Sequence, residues 1–221
     1  MFKEEVIMTQ FKVLISIILV LELSGFSRPV LAQTNQTRKQ IIVIDPGHGG
    51  KDSGAVGVNG ILEKDVVLNI AEQIVVINET IFKNQFEIYL TRYKDTLISL
   101  SDRAKLAKTL KADIFISLHC NYSDNPNARG LEVYASMKQG KYSKESILLA
   151  YDLQMGLKEN IGFESRGVKF ANFQVLRTTV DLCPTALLEM GFLSNCLDSY
   201  YFLKPHRTFL VALAILNAVN I

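Results

Sequence analysis

The stretch Ile41-Ile42-Val43-Ile44-Asp45-Pro46-Gly47-His48-Gly49-Gly50 decides how the rest of the chain is read. The β-branched residues at 41–44 favour an extended backbone. An apolar run without polar alternation suits a strand covered on both faces. Asp45-Pro46-Gly47 stops that run, and a glycine-rich loop carrying a histidine follows. Polar side chains at the carboxyl ends of buried strands are where open α/β sheets build their sites.

Working outward, Val66, Ile70, Ile74, Ile77 and Ile81 fall on one helical face. Glu63 and Asp65 lie in the first turn of that helix, where acids suit the dipole. Phe86–Thr91 reads as a second strand. Ser99–Leu110 reads as a helix, with Ser99 and Asp102 spaced as a capping box in which Asp replaces Glu. A third strand over Asp113–Leu118 runs into His119. After a polar turn over 123–129, Leu131–Ala135 reads as a fourth strand, Ser146–Glu159 as a helix and Val168–Arg177 as a fifth strand. Thr185–Leu188 is a compact apolar strand ending at Glu189. Phe209, Leu210, Leu213 and 215–219 pack as a C-terminal helix. Strands alternating with helices specify an α/β layered fold with a largely parallel sheet.

The 221 residues are 48% hydrophobic and 21% charged, enough for one well-buried domain and short for two. With 24 basic and 22 acidic residues the net charge is only +2, and no basic stripe marks a nucleic-acid binder. Lys12 precedes an apolar run, Val13–Leu21, of signal-peptide length, and Val30-Leu31-Ala32 offers a cleavage site after Ala32. Glu22 ends the run before it is long enough to span a bilayer comfortably. The expectation is a signal peptide over 1–32, a polar tail over 33–39 and a catalytic domain over 40–221. The alternative is an uncleaved N-terminal anchor, and either form is exported to the periplasm or the extracellular envelope, with no stable span once the signal is removed. Cys120, Cys183 and Cys196 are too few for a disulfide framework, although a Cys183–Cys196 bridge is open; no CxxC pair offers thiolate ligation of a metal.

His48, His119 and Glu189 each end a buried strand, and Glu63 opens the helix after the first loop. Each has a plain alternative: a loop or strand-end histidine with a hydrogen bond, a first-turn glutamate serving the helix dipole. Glu189 is the most telling, because a carboxylate in Ala186-Leu187-Leu188-Glu189-Met190 is costly to bury without compensation. His206, beside Pro205, reads as a surface residue. Two imidazoles and a carboxylate make a catalytic zinc set with a fourth position open. A further carboxylate then serves as proton carrier. Residue types alone leave open which glutamate binds metal and which moves protons.

The chain from 40 to 221 resembles the zinc-dependent N-acetylmuramoyl-L-alanine amidases of the Amidase_3 type. The matching motifs are Ile44-Asp45-Pro46-Gly47-His48-Gly49-Gly50, Glu63-Lys64-Asp65, Ser117-Leu118-His119-Cys120-Asn121, Val175-Leu176-Arg177 and 188–195, Leu-Glu-Met-Gly-Phe-Leu-Ser-Asn. The resemblance implies one zinc held by His48, Glu63 and His119, with Glu189 as catalytic base. It also implies a mixed, mostly parallel six-stranded sheet with helices on both faces. The implied reaction cleaves the amide between the lactyl group of N-acetylmuramic acid and L-alanine of peptidoglycan, with any protein regulator unidentified. Other zinc peptidases of the wall, carboxypeptidases among them, and an inactive wall-binding protein are the competing readings. Ser53, Lys108 and Cys120 depart from the family's usual proline, asparagine and alanine without removing a ligand or the base. Some relatives carry a blocking helix after the second histidine motif, where this chain has only the short stretch 121–130. Asp45 either orients a ligand imidazole or caps the turn before Pro46. Arg103 matches a recurrent arginine of the family, as an ion-pair partner or a substrate contact, and Asn121 and Arg177 are candidates for hydrogen bonds to the stem peptide.

Overall fold

The computed structural model describes residues 38–220, so the expected signal peptide lies outside the described residues. The strands are β1 (Ile41–Pro46), β2 (Glu87–Leu90), β3 (Ile114–Asn121), β4 (Leu131–Ser136), β5 (Ser165–Ala171) and β6 (Thr185–Phe192). The helices are α1 (Glu63–Thr80), α2 (Leu100–Leu110), α3 (Ser143–Ile161), α4 (Gln174–Thr179), α5 (Cys196–Tyr201) and α6 (Pro205–Val219). The six strands form one sheet in the order β2-β1-β3-β6-β4-β5. All neighbouring pairs are parallel except β4 with β6. The expected mixed, mostly parallel sheet is therefore present.

The reversal of β4 has a simple cause. A parallel return needs a crossover of about a dozen residues or more, usually a helix. Between β3 and β4 there is only the stretch 122–130, so the chain comes back antiparallel. The helix α3 then carries it to β5, which runs parallel to β4.

Strand alternation divides the apolar residues between two cores. Ile42, Ile44, Ile114, Ile116, Leu118, Ala186 and Leu188 face one core, under α1, α3 and α6. Val43, Phe115 and Leu187 face the other, under α2 and α4. Ile70, Ile74 and Ile77 of α1 are fully buried in the first core, each contributing about 1.5–3 kcal/mol relative to exposure. Ile81 departs from the expected face. It follows the last helical turn and is 50% exposed.

Two elements differ from the sequence reading. The expected fifth strand over Val168–Arg177 starts earlier, at Ser165, and stops at Ala171; Val175–Arg177 lies in α4. Adjacent residues Val175 and Leu176 are both buried in the second core, which a two-residue alternation does not permit. The hydroxyls of Thr178 and Thr179 bond back to Gln174 O and Val175 O, satisfying carbonyls of the short helix. The other difference is α5, whose start is set by Asn195, its side chain accepting from Leu197 N and Asp198 N. The Ser99 cap on α2 is present: its hydroxyl accepts from Asp102 N at 3.2 Å and donates to Asp102 Oδ2 at 2.6 Å. Cys183 and Cys196 are free thiols, one buried and the other exposed, so no bridge joins them. Among the described residues, no helix is long and apolar enough to cross a membrane.

Candidate metal centre and active site

Residues brought together by parallel neighbours make the site. His48 follows β1, His119 is in β3, and Glu189 is the ladder partner of His119 in β6. Glu63 begins α1 and is buried. His48 Nε2 lies 3.1 Å from Glu63 Oε1, and His119 Nδ1 lies 2.9 Å from the same oxygen. The two rings meet edge to face with centroids 5.0 Å apart. One ligand atom from each of His48, Glu63 and His119 falls within 4.8 Å of the others. Two nitrogens and a carboxylate oxygen at that spacing match the donor set that zinc takes.

The loop is built so that these groups can crowd. A Cβ on Gly47 would sit 2.3 Å from the His119 ring, and one on Gly54 would sit 2.4 Å from Glu63 Oε2. Only glycine leaves room at either point. His48 itself has φ 56°, a left-handed backbone that a non-glycine residue holds only when its surroundings fix it. Two buried guanidinium groups do so. Arg92 donates to Pro46 O (3.0 Å), Gly47 O (2.8 Å) and Lys64 O (2.8 Å), tying the histidine loop to the start of α1. Arg103 donates to Pro46 O at 2.7 Å and His48 O at 2.9 Å.

Asp45 is fully buried. Its carboxylate meets Arg103 Nη1 (2.7 Å), Thr91 Oγ1 (2.6 Å) and Ser117 Oγ (2.7 Å), with no imidazole among these partners. The carboxylate that meets the other ring nitrogen of His48 is Asp52, its Oδ2 2.9 Å from His48 Nδ1. Such a partner fixes the tautomer and plane of a ligand imidazole. Asn121 donates to Glu132 Oε2 at 3.1 Å. Arg177 donates to Asn172 O at 3.0 Å, in the turn leading into its own helix. Sequence reading missed Asp52, Arg92 and Glu132. The first was signalled by its place four residues after His48 inside the glycine loop, the second by a basic residue ending a strand.

The electrostatics separate the two glutamates. Burial pushes the Glu63 carboxyl up, but hydrogen bonds and charge from His119 and His48 outweigh it and bring it down to about 2. Backbone N–H groups of Ala55 (2.8 Å) and Cys120 (3.0 Å) also donate to it. Burial pulls the His48 imidazolium down, yet the bond to Glu63, reinforced by Asp52, raises it to about 9. Glu189 behaves oppositely. Burial raises it to about 7, with the charges of Glu63 and Glu132 pushing the same way and the imidazoles opposing. Among the described residues its Oε2 is buried without a hydrogen-bond partner, an orphan that asks for a ligand or water.

A cavity of about 600 Å³ opens beside the two histidines, lined on its far side by Leu97, Leu100 and Arg103. The stretch 122–130 is fastened to the segment after β6. Ser123 N donates to Ser194 Oγ, Asn195 Nδ2 to Pro126 O, and Gly130 N to Asp198 Oδ2.

The chain is similar to known proteins over this whole region. It is 38% identical over 172 residues to the N-acetylmuramoyl-L-alanine amidase LytC of Bacillus subtilis, covering 77% of this chain and 32% of LytC. It thus spans about a third of the length of that curated relative. Among solved structures, the amidase AmiC2 of Nostoc punctiforme superimposes with TM-score 0.73 at 35% identity, covering 81% of this chain and 94% of that one. The catalytic domain of CwlV from Bacillus (Paenibacillus) polymyxa var. colistinus gives 0.73 at 34% identity, covering 81% and 96%. The profile of the Amidase_3 family, N-acetylmuramoyl-L-alanine amidase, matches residues 42–220. The chain belongs to the Amidase_3 family.

Proposed function

We propose that this chain is an exported zinc-dependent hydrolase that cleaves the amide between the lactyl group of N-acetylmuramic acid and L-alanine in peptidoglycan. What carries the reading is the convergence of His48, Glu63 and His119 beside Glu189, a carboxyl with an unpartnered buried oxygen. The family supports the bond and the substrate, and the N-terminal apolar run over 13–21 supports export by a signal peptide over 1–32.

His48, Glu63 and His119 are the residues that would hold zinc. The bound ion would supply Lewis-acid polarisation of the scissile carbonyl and acidify the attacking water. Glu63, kept ionised by its donors, brings the negative charge that a dication requires. Asp52 keeps His48 turned toward the centre, while Arg92 and Arg103 hold the loop that carries it. Glu189 takes the water proton and delivers it to the departing alanine nitrogen. A carboxyl poised at about 7 is suited to both halves of that transfer.

The test is digestion of purified peptidoglycan with and without a chelator, followed by mass analysis of the products. The expected result is release of intact peptides beginning with L-alanine, abolished by the chelator. Shortened stem peptides still attached to the sugar would mark a carboxypeptidase, and binding without new amino groups would mark an inactive wall-binding protein; either overturns the reading.

A further inference from the structure

The register of the sheet lines up more than the two glutamates of the mechanism. His119 of β3 pairs with Glu189 of β6, and Glu189 pairs in turn with Glu132 of β4. Directly opposed residues project to the same face with Cβ atoms about 5 Å apart, so Glu132 extends the active-site row by one strand. The next strand, β5, contributes two cations to the same place. Arg166 Nε donates to Glu132 Oε1 at 2.7 Å and Lys169 Nζ at 2.6 Å. The other oxygen of Glu132 accepts from Tyr134 Oη (2.6 Å) and Asn121 Nδ2 (3.1 Å). The Glu132 side chain is only 4% exposed and its acceptor positions are filled.

This cluster has one more positive charge than the buried carboxylate needs. A single arginine is enough to neutralise a buried glutamate with good geometry. Here a lysine is added, and both cations stay accessible, their side chains 36% and 38% exposed. The Arg166 guanidinium lies over the Phe192 ring at 5.1 Å, which fixes its plane. Among the described residues its Nη2 makes no hydrogen bond, and Lys169 Nζ bonds only Glu132. Glu132 thus acts as an anchor that orients two cations, with donors left over at the open end of the row.

We propose that Arg166 and Lys169 form a carboxylate-binding subsite that seats the leaving stem peptide. This rests on the amidase reading above. Strands are about 4.8 Å apart, so the cationic heads, reaching back to Glu132, lie about 5–10 Å from the Glu189 carboxyl. A peptide advances about 3.5 Å per residue, which puts the subsite one to three residues beyond the scissile amide. A stem peptide whose second residue is γ-linked glutamate offers a free α-carboxylate within that reach, and amidation of that group removes its charge.

The experiment uses two muramoyl-peptide fragments that differ only in whether this α-carboxylate is free or amidated. Wild-type enzyme is expected to favour the acid form in kcat/KM by about 10- to 100-fold, the range of a charge-assisted hydrogen bond. Most of the difference should appear in KM. In Arg166→Gln and in Lys169→Gln the ratio of acid to amide should fall toward one. A merely structural role for these residues lowers cleavage of both fragments together and leaves the ratio intact. Equal cleavage of the two fragments by wild type, or an unchanged ratio in both variants, overturns the subsite while leaving the amidase reading standing. Release of alanine-terminated peptide from neither fragment sinks the amidase reading and the subsite with it.

Discussion

Replacing Glu189 by glutamine keeps the shape of the side chain and removes its ability to carry a proton. Loss of a positioned acid–base group lowers turnover by about 10²- to 10⁴-fold, and the metal content should stay at the wild-type level. The same variant has a second signature in stability. The Glu189 carboxyl moves from 4.5 to about 7 on folding because burial disfavours its charge. An acid that holds its proton more tightly in the folded state contributes fully to stability below pH 4.5. That contribution is lost as pH rises through about 7. At about 1.4 kcal/mol for each tenfold change in proton affinity, the move from 4.5 to about 7 costs the folded chain roughly 3 kcal/mol at pH 8. Glutamine does not ionise and escapes that cost. Urea denaturation of metal-stripped wild type and Glu189→Gln between pH 5 and 8 should therefore give diverging curves, the variant gaining on wild type as pH rises. Parallel curves, together with peptide release by the variant within about tenfold of wild type, would refute the assignment of Glu189 as a buried proton carrier.

Other perturbations test the supporting geometry. Wild type is expected to retain stoichiometric zinc through gel filtration and Glu63→Ala to lose it; a full equivalent in the variant contradicts the ligand role. Gly54→Ala places a methyl against Glu63 Oε2 on a left-handed backbone (φ +63°), and should weaken zinc affinity by about tenfold or more in a chelator competition. Arg103→Met strands the fully buried carboxylate of Asp45 and should cost about 3–5 kcal/mol, read as a lowered urea midpoint. An unchanged midpoint would mean that the pair carries no net stability.

What could be read from the sequence follows the range over which each signal acts. β1 and α1 were legible because their patterns are local: a β-branched run, and isoleucines returning once per turn. His48, His119 and Glu189 stood out because a polar residue closing an apolar strand is costly unless the fold uses it. Glu63 was not separable from an ordinary first-turn acid by its residue type, and only the family resemblance gave it a role. Arg92 and Glu132 escaped notice because what keeps each buried is distant in the chain. Arg92 is satisfied by carbonyls of residues 46, 47 and 64, and Glu132 by cations at 166 and 169. The end of β5 was misplaced because Asn172-Phe173-Gln174-Val175-Leu176 alternates imperfectly and is decided by packing of both Val175 and Leu176 beneath the sheet.

The three tethers from Ser194, Asn195 and Asp198 to the stretch 122–130 bear on how this architecture diversifies. They act as moorings on either side of a gap between Pro126 and Gly130. Added length there raises the entropic cost of closure only slowly, by about 0.6 kcal/mol for each doubling, and the moorings spare the strands from drift. An insert can therefore be spliced in at this spot while the cluster of His48, Glu63 and His119 keeps its shape.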